Sequence, residues 1–238
     1  LNNSITEAST GSTVNTTLFA LMQTSNFSIN QSALQFQTAT VDGSNLYVTE
    51  GEIIGANISV SDESVCRASM SNVTVGGMVV SKQARIAYDG SRVHIEVCMV
   101  SNGEIIHNGS NVEVTQLISL EDGARFIANS STIETSVIVV NSSVVTVGEG
   151  SSFKARSLQI LDETGSSEVV ATSSSLNIDE LILTSCKFTS TDVTIVCATL
   201  STNGHTTVNA SKTQMQCSSI VMAETAAMFT DGSSVQTS

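Results

Sequence analysis

The chain has 238 residues (24.8 kDa), no proline, no tryptophan, and nine Lys and Arg against 22 Asp and Glu. A net charge of −13 argues against nucleic acid, which needs concentrated Lys and Arg, and against anionic membrane surfaces. No run approaches the ~18 apolar residues of a spanning helix, so no membrane insertion is expected.

Serine (39) and threonine (28) dominate, which on its own would suit a disordered linker. With 40% of residues apolar, including 27 valines, the chain is too hydrophobic for that class. Ser, Thr, Val and Asn are mediocre helix formers, so a helical bundle is disfavoured and an all-β protein remains. A chain this long would ordinarily carry roughly 12 prolines.

The first 25 residues, with TTLFALMQ at 16–23, fit the pattern of the rest least well and are expected to hold an irregular coil or a short helix. From there a phrase of small polar residues followed by apolar–x–apolar recurs: SNLYV (44–48), ANISV (56–60), SNVTV (71–75), SRVHI (91–95), SNVEV (110–114) and STIET (131–135). It continues as RSLQI (156–160), SSLNI (174–178), TDVTI (191–195) and SSVQT (233–237). Alternation with period two is a half-buried strand. Val73, Val93, Val112 and Ile133 recur at steps of 20, 19 and 21, and Leu158, Leu176 and Val193 at 18 and 17. A shift of 20 superposes Ile195, Cys197, Leu200 and Val208 on Met215, Cys217, Ile220 and Met228, and then Met215 on Val235. The register is irregular around Ile58 and Val144.

Coils of about 17–22 residues, each with two or three short strands, predict one parallel β-solenoid over 1–238 with about 12 degenerate rungs. At about 4.8 Å per rung it would be a rod of roughly 58 Å. Nearly every backbone N–H would then donate to a neighbouring rung, which proline cannot do. In this the chain resembles the right-handed parallel β-helix of pectin-lyase-like and extracellular fibre proteins, in architecture and without an enzyme-family motif. Left-handed solenoids repeat in strict six-residue steps, which these are not. The opening LNNSITEAST reads as a mature product or excised piece, and SSVQTS as the start of a further rung without a cap. Partners expected on that reading are further copies of the solenoid, end to end, and covalent glycans.

Ten Asn-x-Ser/Thr acceptors are present, at Asn2, Asn15, Asn26, Asn30, Asn57, Asn72, Asn108, Asn129, Asn141 and Asn209. In NFS, NIS and NVT the apolar middle residue is expected to point inward, which turns the Asn and the hydroxyl outward. The competing explanation is that a Ser/Thr/Asn-rich repeat generates such triplets by composition, with some Asn stacked inward as an amide ladder. Of five cysteines, Cys197 and Cys217 sit one rung apart and are the one disulfide predicted. Cys66, Cys98 and Cys186 read as small buried hydrophobes. His94, His107 and His205 read as surface residues. The doublets Asp62-Glu63, Glu121-Asp122, Asp162-Glu163 and Asp179-Glu180 read as solvated turns, and no cofactor or metal is implied.

Lyases and hydrolases of this architecture need clustered carboxylates with Lys or Arg beside them. Here the basic residues are scattered singly, so no enzyme is expected. The function expected is that of a structural or adhesive extracellular glycoprotein, a stiff rod in a fibre or coat. The alternative is a carbohydrate-binding or polysaccharide-cleaving β-helix. An ice-binding solenoid would need a Thr-x-Thr column, and only 38–40 and 189–191 offer that pattern.

Overall fold

The computed structural model describes residues 5–8, 10–162, 165–223 and 225–237. Among them there is no helix. The chain alternates short strands with long ones of about twice the length, such as Arg85–Asp89 (5 residues) and Arg92–Ser101 (10 residues). Each strand pairs in parallel with its equivalent one coil before and one coil after, giving a 12-stranded sheet of short strands and another of long strands. The molecule is a parallel β-solenoid.

The long strand breaks its own alternation. In Arg92–Ser101 the inward residues are Val93, Ile95, Cys98 and Val100, with Glu96 and Val97 successive at its middle. Register passes over Glu96, pairing Ile95 with Val75 and Val97 with Gly77. Two successive residues off the core turn the backbone around the interior there, so a coil has three sides: the short strand and two half-strands. Each side contributes two inward residues. In the coil beginning at Arg85 these are Ile86 and Tyr88, Val93 and Ile95, and Cys98 and Val100, all at most 3% exposed.

Like residues stack over like along the axis. The column from Val73 through Val93, Val112, Ile133, Phe153, Leu176, Ile195 and Met215 is continuous. Size is balanced between neighbouring coils: the Phe36 ring occupies the space a Cβ on the paired Gly55 would need. The shift of 20 over residues 195–235 is the true register. The steps at Leu158, Leu176 and Val193 are not. Leu158 pairs with Leu181, and Leu176 with Ile195. Three apolar–x–apolar sides per coil make phrases from different sides interchangeable in sequence. True steps run from 19 residues (Leu176 to Ile195) to 24 (Val145 to Val169), rather than 17–22. Ile58 lies in regular register, with steps of 19 and 20, whereas the irregularity expected around Val144 is present, its steps being 19 from Arg125 and 24 to Glu168. Thr13–Met22, placed in an irregular coil or short helix by sequence, is a long strand paired along its length with Ala33–Asp42. Its Phe19 and Leu21 are buried, and that outcome follows from the neighbouring coil, which offers a template to any chain that can alternate.

The corners are built from buried hydroxyls. Where a short strand passes into a long one, the chain takes one left-handed residue (Met70, φ 49°; Gly90, φ 58°; Ser130, φ 48°) and then, in most coils, a serine, with Gly51, Val193 and Thr213 in its place elsewhere. The N–H groups of Ser71, Ser91 and Ser110 donate to the hydroxyls of Ser91, Ser110 and Ser131, one coil on, at 3.1–3.2 Å. Those hydroxyls donate in turn to carbonyls, Ser91 Oγ to Ala68 O at 3.0 Å and Ser110 Oγ to Tyr88 O at 3.0 Å. At the opposite corner Ser25 N–H and Ser44 N–H donate to Ser44 Oγ and Ser64 Oγ. A corner N–H points along the axis but is too far from the next carbonyl ladder, and the serine hydroxyl satisfies it where water cannot reach.

Candidate functional surfaces

Nine of the ten acceptor asparagines lie in the described residues, and Asn2 lies outside them. None of the nine is buried. The middle residues Phe27, Ile58 and Val73 are buried, as alternation requires. Asn26, Asn30, Asn108, Asn129 and Asn209 lie on the short sheet, Asn15, Asn57 and Asn72 on the long sheet, and Asn141 at the corner after it.

The hydroxyl halves of the triplets divide into two kinds. Ser32, Ser110, Ser131 and Ser143, which complete the triplets of Asn30, Asn108, Asn129 and Asn141, are corner serines and are buried. Asn108 Nδ2 donates to Asp89 Oδ1 at 2.9 Å and Asn129 Nδ2 to Asn108 Oδ1 at 3.2 Å, an amide ladder along the strand ends. For these four the triplet also matches what the coil itself requires, a left-handed residue followed by a corner hydroxyl, and Asn108 and Asn129 are ladder residues as well. The ladders are outward, not inward. Thr17, Ser28, Ser59, Thr74 and Ser211, which complete the other five described triplets, are exposed or half-buried.

Cys197 and Cys217 are joined, with Cα atoms 4.7 Å apart, inside the solenoid between neighbouring long strands. Cys66, Cys98 and Cys186 are free and buried, and burial pushes each thiol up to about 12. Such thiols are protonated at neutral pH and chemically quiet.

His107 overturns its surface assignment. It occupies the fourth, inward position of the short strand Glu104–Asn108 and is 2% exposed, stacked on Tyr88 (centroids 5.2 Å, 10° between planes) and tilted against Phe126 at 5.1 Å. The phrase EIIHN gave the signal, since Ile105 and His107 alternate inward. Burial lowers its pKa to about 3. His94 does face solvent, 3.2 Å from Glu113. Asp162 also departs from a solvated turn. It is buried and accepts hydrogen bonds from Ser166 Oγ (3.1 Å) and the Ser167 N–H, holding together the longest connection between coils.

The cations are not scattered at random. Arg125 and Arg85 both grip Glu104 at 3.0 Å, Lys187 pairs with Glu168 at 2.6 Å, Lys154 with Glu134 at 2.7 Å, and Arg67 with Asp89 at 2.8 Å. Each pair ties one coil to the next. Sequence reasoning missed these because partners lie about 20 residues apart. A shallow groove of about 350 Å³ runs along the bend of the long sheet and brings Glu113, Glu134 and Asp179 near Lys154 and Arg156. Another of about 420 Å³ on the short sheet has Ala87, Ile106 and Ile127 as its floor, between the Arg85 side and the Asn108–Asn129 ladder. Among the described residues no three His, Cys, Asp or Glu converge as metal ligands. Thr38 and Thr40 lie on the long sheet and Thr189 and Thr191 on the short one, so they form no common column.

No family model, no curated protein and no solved structure matches this chain.

Proposed function

We propose that the protein is a non-catalytic structural or adhesive glycoprotein of the extracellular space, a stiff solenoid rod belonging to a surface fibre or coat. The observation that carries this reading is the solvent-facing placement of all nine described acceptor asparagines on a rod whose interior is continuous. A disulfide inside the stack fits an oxidising compartment. Inter-coil hydrogen bonds, aliphatic columns and ion pairs resist bending and proteolysis, while glycans and negative charge keep most of the surface solvated.

The test is the intact mass of the protein secreted by a eukaryotic host, before and after enzymatic removal of N-glycans, together with electron micrographs. A drop of several glycan masses and elongated particles are expected. Unchanged mass would remove the glycoprotein, and globular particles the rod.

A second reading is supported by the groove holding Glu113, Glu134 and Asp179, which is shaped for an extended polymer such as a polysaccharide. Two of these carboxylates already hold partners one coil away, Glu113 with His94 and Glu134 with Lys154, and both are more than half exposed. Water-shielded, unpaired carboxylates are what acid–base cleavage needs, so we rank binding and cleavage second. Release of reducing ends from a pectin or glycan panel, lost in Glu134→Gln, would reverse that order.

A further inference from the structure

Three Asn-Gly pairs occur in the chain, at 102–103, 108–109 and 203–204. In such a pair the following main-chain nitrogen can reach the asparagine side-chain amide with little hindrance, because glycine has no Cβ. The folded coil treats the three pairs differently. Gly109 N–H donates to Asn129 O at 2.9 Å, Asn108 Nδ2 donates to Asp89 Oδ1 at 2.9 Å, and Asn108 Oδ1 accepts from Asn129 Nδ2 at 3.2 Å. Nitrogen and amide are thus both tied to neighbouring coils. Gly103 is buried, and a Cβ there would stand 2.9 Å from Val80 Cγ1 and 3.2 Å from Ala84 O, so its peptide has no room to swing towards Asn102. Asn203 is exposed, at the end of the long strand Thr194–Asn203, and the Gly204 N–H donates to the Oδ1 of Asn203 itself at 2.8 Å. At the same corner position of other coils the N–H donates across to the next coil instead, Gly43 to Ser61 O at 3.3 Å and Ser185 to Asn203 O at 3.1 Å. Gly204 has φ 59° and a Cβ on it would lie 2.3 Å from Ser185 Oγ, so this corner takes only glycine.

We propose that Asn203 is a site of spontaneous covalent modification, converting in the folded protein to aspartate and isoaspartate. The Gly204 nitrogen, its proton passed to solvent, forms a bond to Cγ of Asn203. The Cγ–Nδ2 bond breaks, ammonia leaves, and a succinimide ring closes. Water then opens the ring at either carbonyl, giving aspartate or isoaspartate, and no other reactant is needed. The hydrogen bond to Oδ1 holds the nitrogen beside Cγ, near the separation of about 3–3.5 Å from which reacting atoms meet. Conversion adds a negative charge to the corner. In isoaspartate the main chain also runs through Cβ, and the former Asn203 carbonyl becomes a pendant carboxylate. That carbonyl accepts the Ser185 N–H at 3.1 Å and Thr206 Oγ1 at 2.6 Å, so its release from the main chain loosens the junction between the two coils. The inference rests on the fold alone and is independent of glycans.

The test is to age the unglycosylated full chain at neutral and at mildly alkaline pH, with a parallel sample kept unfolded in guanidinium. Peptide mass spectrometry follows the amide-to-acid mass gain at each Asn-Gly pair, and electron-transfer fragmentation separates aspartate from isoaspartate. In the folded chain Asn203 is expected to convert at least about tenfold faster than Asn102 and Asn108, and faster at the higher pH. In guanidinium, where the coil no longer positions anything, the three are expected to agree within a factor of about three. A folded chain in which Asn203 converts no faster than either of the others would overturn the proposal. So would the same preference for Asn203 in guanidinium, which would assign it to the local sequence. Either result would leave the rod and its glycans standing.

Discussion

At the scale of single residues, the corner serines carry an unusual share of the fold. Ser91 receives the Ser71 N–H and returns its own proton to a carbonyl, so removing its hydroxyl strands a buried donor. Ser91→Ala is expected to cost about 1–3 kcal/mol, measured by urea unfolding. Met70 tests the other corner requirement. Its φ is 49° and its N–H donates to Asp89 O at 2.8 Å. Met70→Gly should stabilise by about 1 kcal/mol, because glycine enters the left-handed region without penalty. Met70→Pro should destabilise by about 3 kcal/mol or more, since proline can supply neither the angle nor the donor. His107 gives the chain an acid sensitivity. Its folded pKa of about 3 lies below the 6.5 of an unperturbed histidine, so the unfolded chain takes up a proton that the folded chain refuses. The contribution is complete above pH 6.5 and is lost as pH falls from there towards 3. At pH 5 the loss is about 2 kcal/mol, and His107→Phe, which can keep the stack on Tyr88 and Phe126, should abolish that part of the pH dependence.

At the scale of elements, each strand is stabilised mainly by its neighbours in the stack. The Cys197–Cys217 link closes a loop of about 20 residues, which corresponds to roughly 3 kcal/mol. The Cys197→Ser/Cys217→Ser double variant should therefore loosen the coils from Thr194 to Met222 first, seen as faster amide exchange there than in Arg92–Ser101. The other three cysteines should react with a thiol reagent only after unfolding, giving three equivalents in denaturant and none in the native protein. Alternation, the inward columns and the disulfide were legible in the sequence, because each depends on a local phrase and a constant shift. Strand Thr13–Met22 was not legible, since its conformation is set by pairing with Ala33–Asp42 rather than by its own composition. The ion pairs and the amide ladder were hidden for the same reason. Their partners meet only once the coil length is known residue by residue, and three similar phrases per coil obscure that length.

At the scale of the whole molecule, the solenoid has nearest-neighbour contacts and little else, so its stability should accumulate coil by coil. Small-angle scattering of the monomer should give a maximum dimension near the ~58 Å set by twelve coils, with an elongated pair distribution. The same geometry distributes function by side. Five of the nine described acceptor asparagines stand on the short sheet, the charged groove follows the bend of the long sheet, and Asn57 stands among the mostly uncharged outward residues of the second half-strands.

The sequence by itself determined that this protein is β, repetitive and proline-free, because every coil must offer donors along its whole length. Tertiary structure decided why so much serine and threonine is present. The outward hydroxyls and the acceptor triplets account for only part of it, and the buried corner hydroxyls supply the rest. It also explained the lack of proline in turns, where proline is usually welcome: these turns need positive φ and a donating N–H together. Which side holds each acceptor triplet and which holds the ion pairs was likewise fixed only by the three-sided coil. That shape depends on where each long strand breaks its alternation, and a single-residue break is invisible until the neighbouring coil supplies the register.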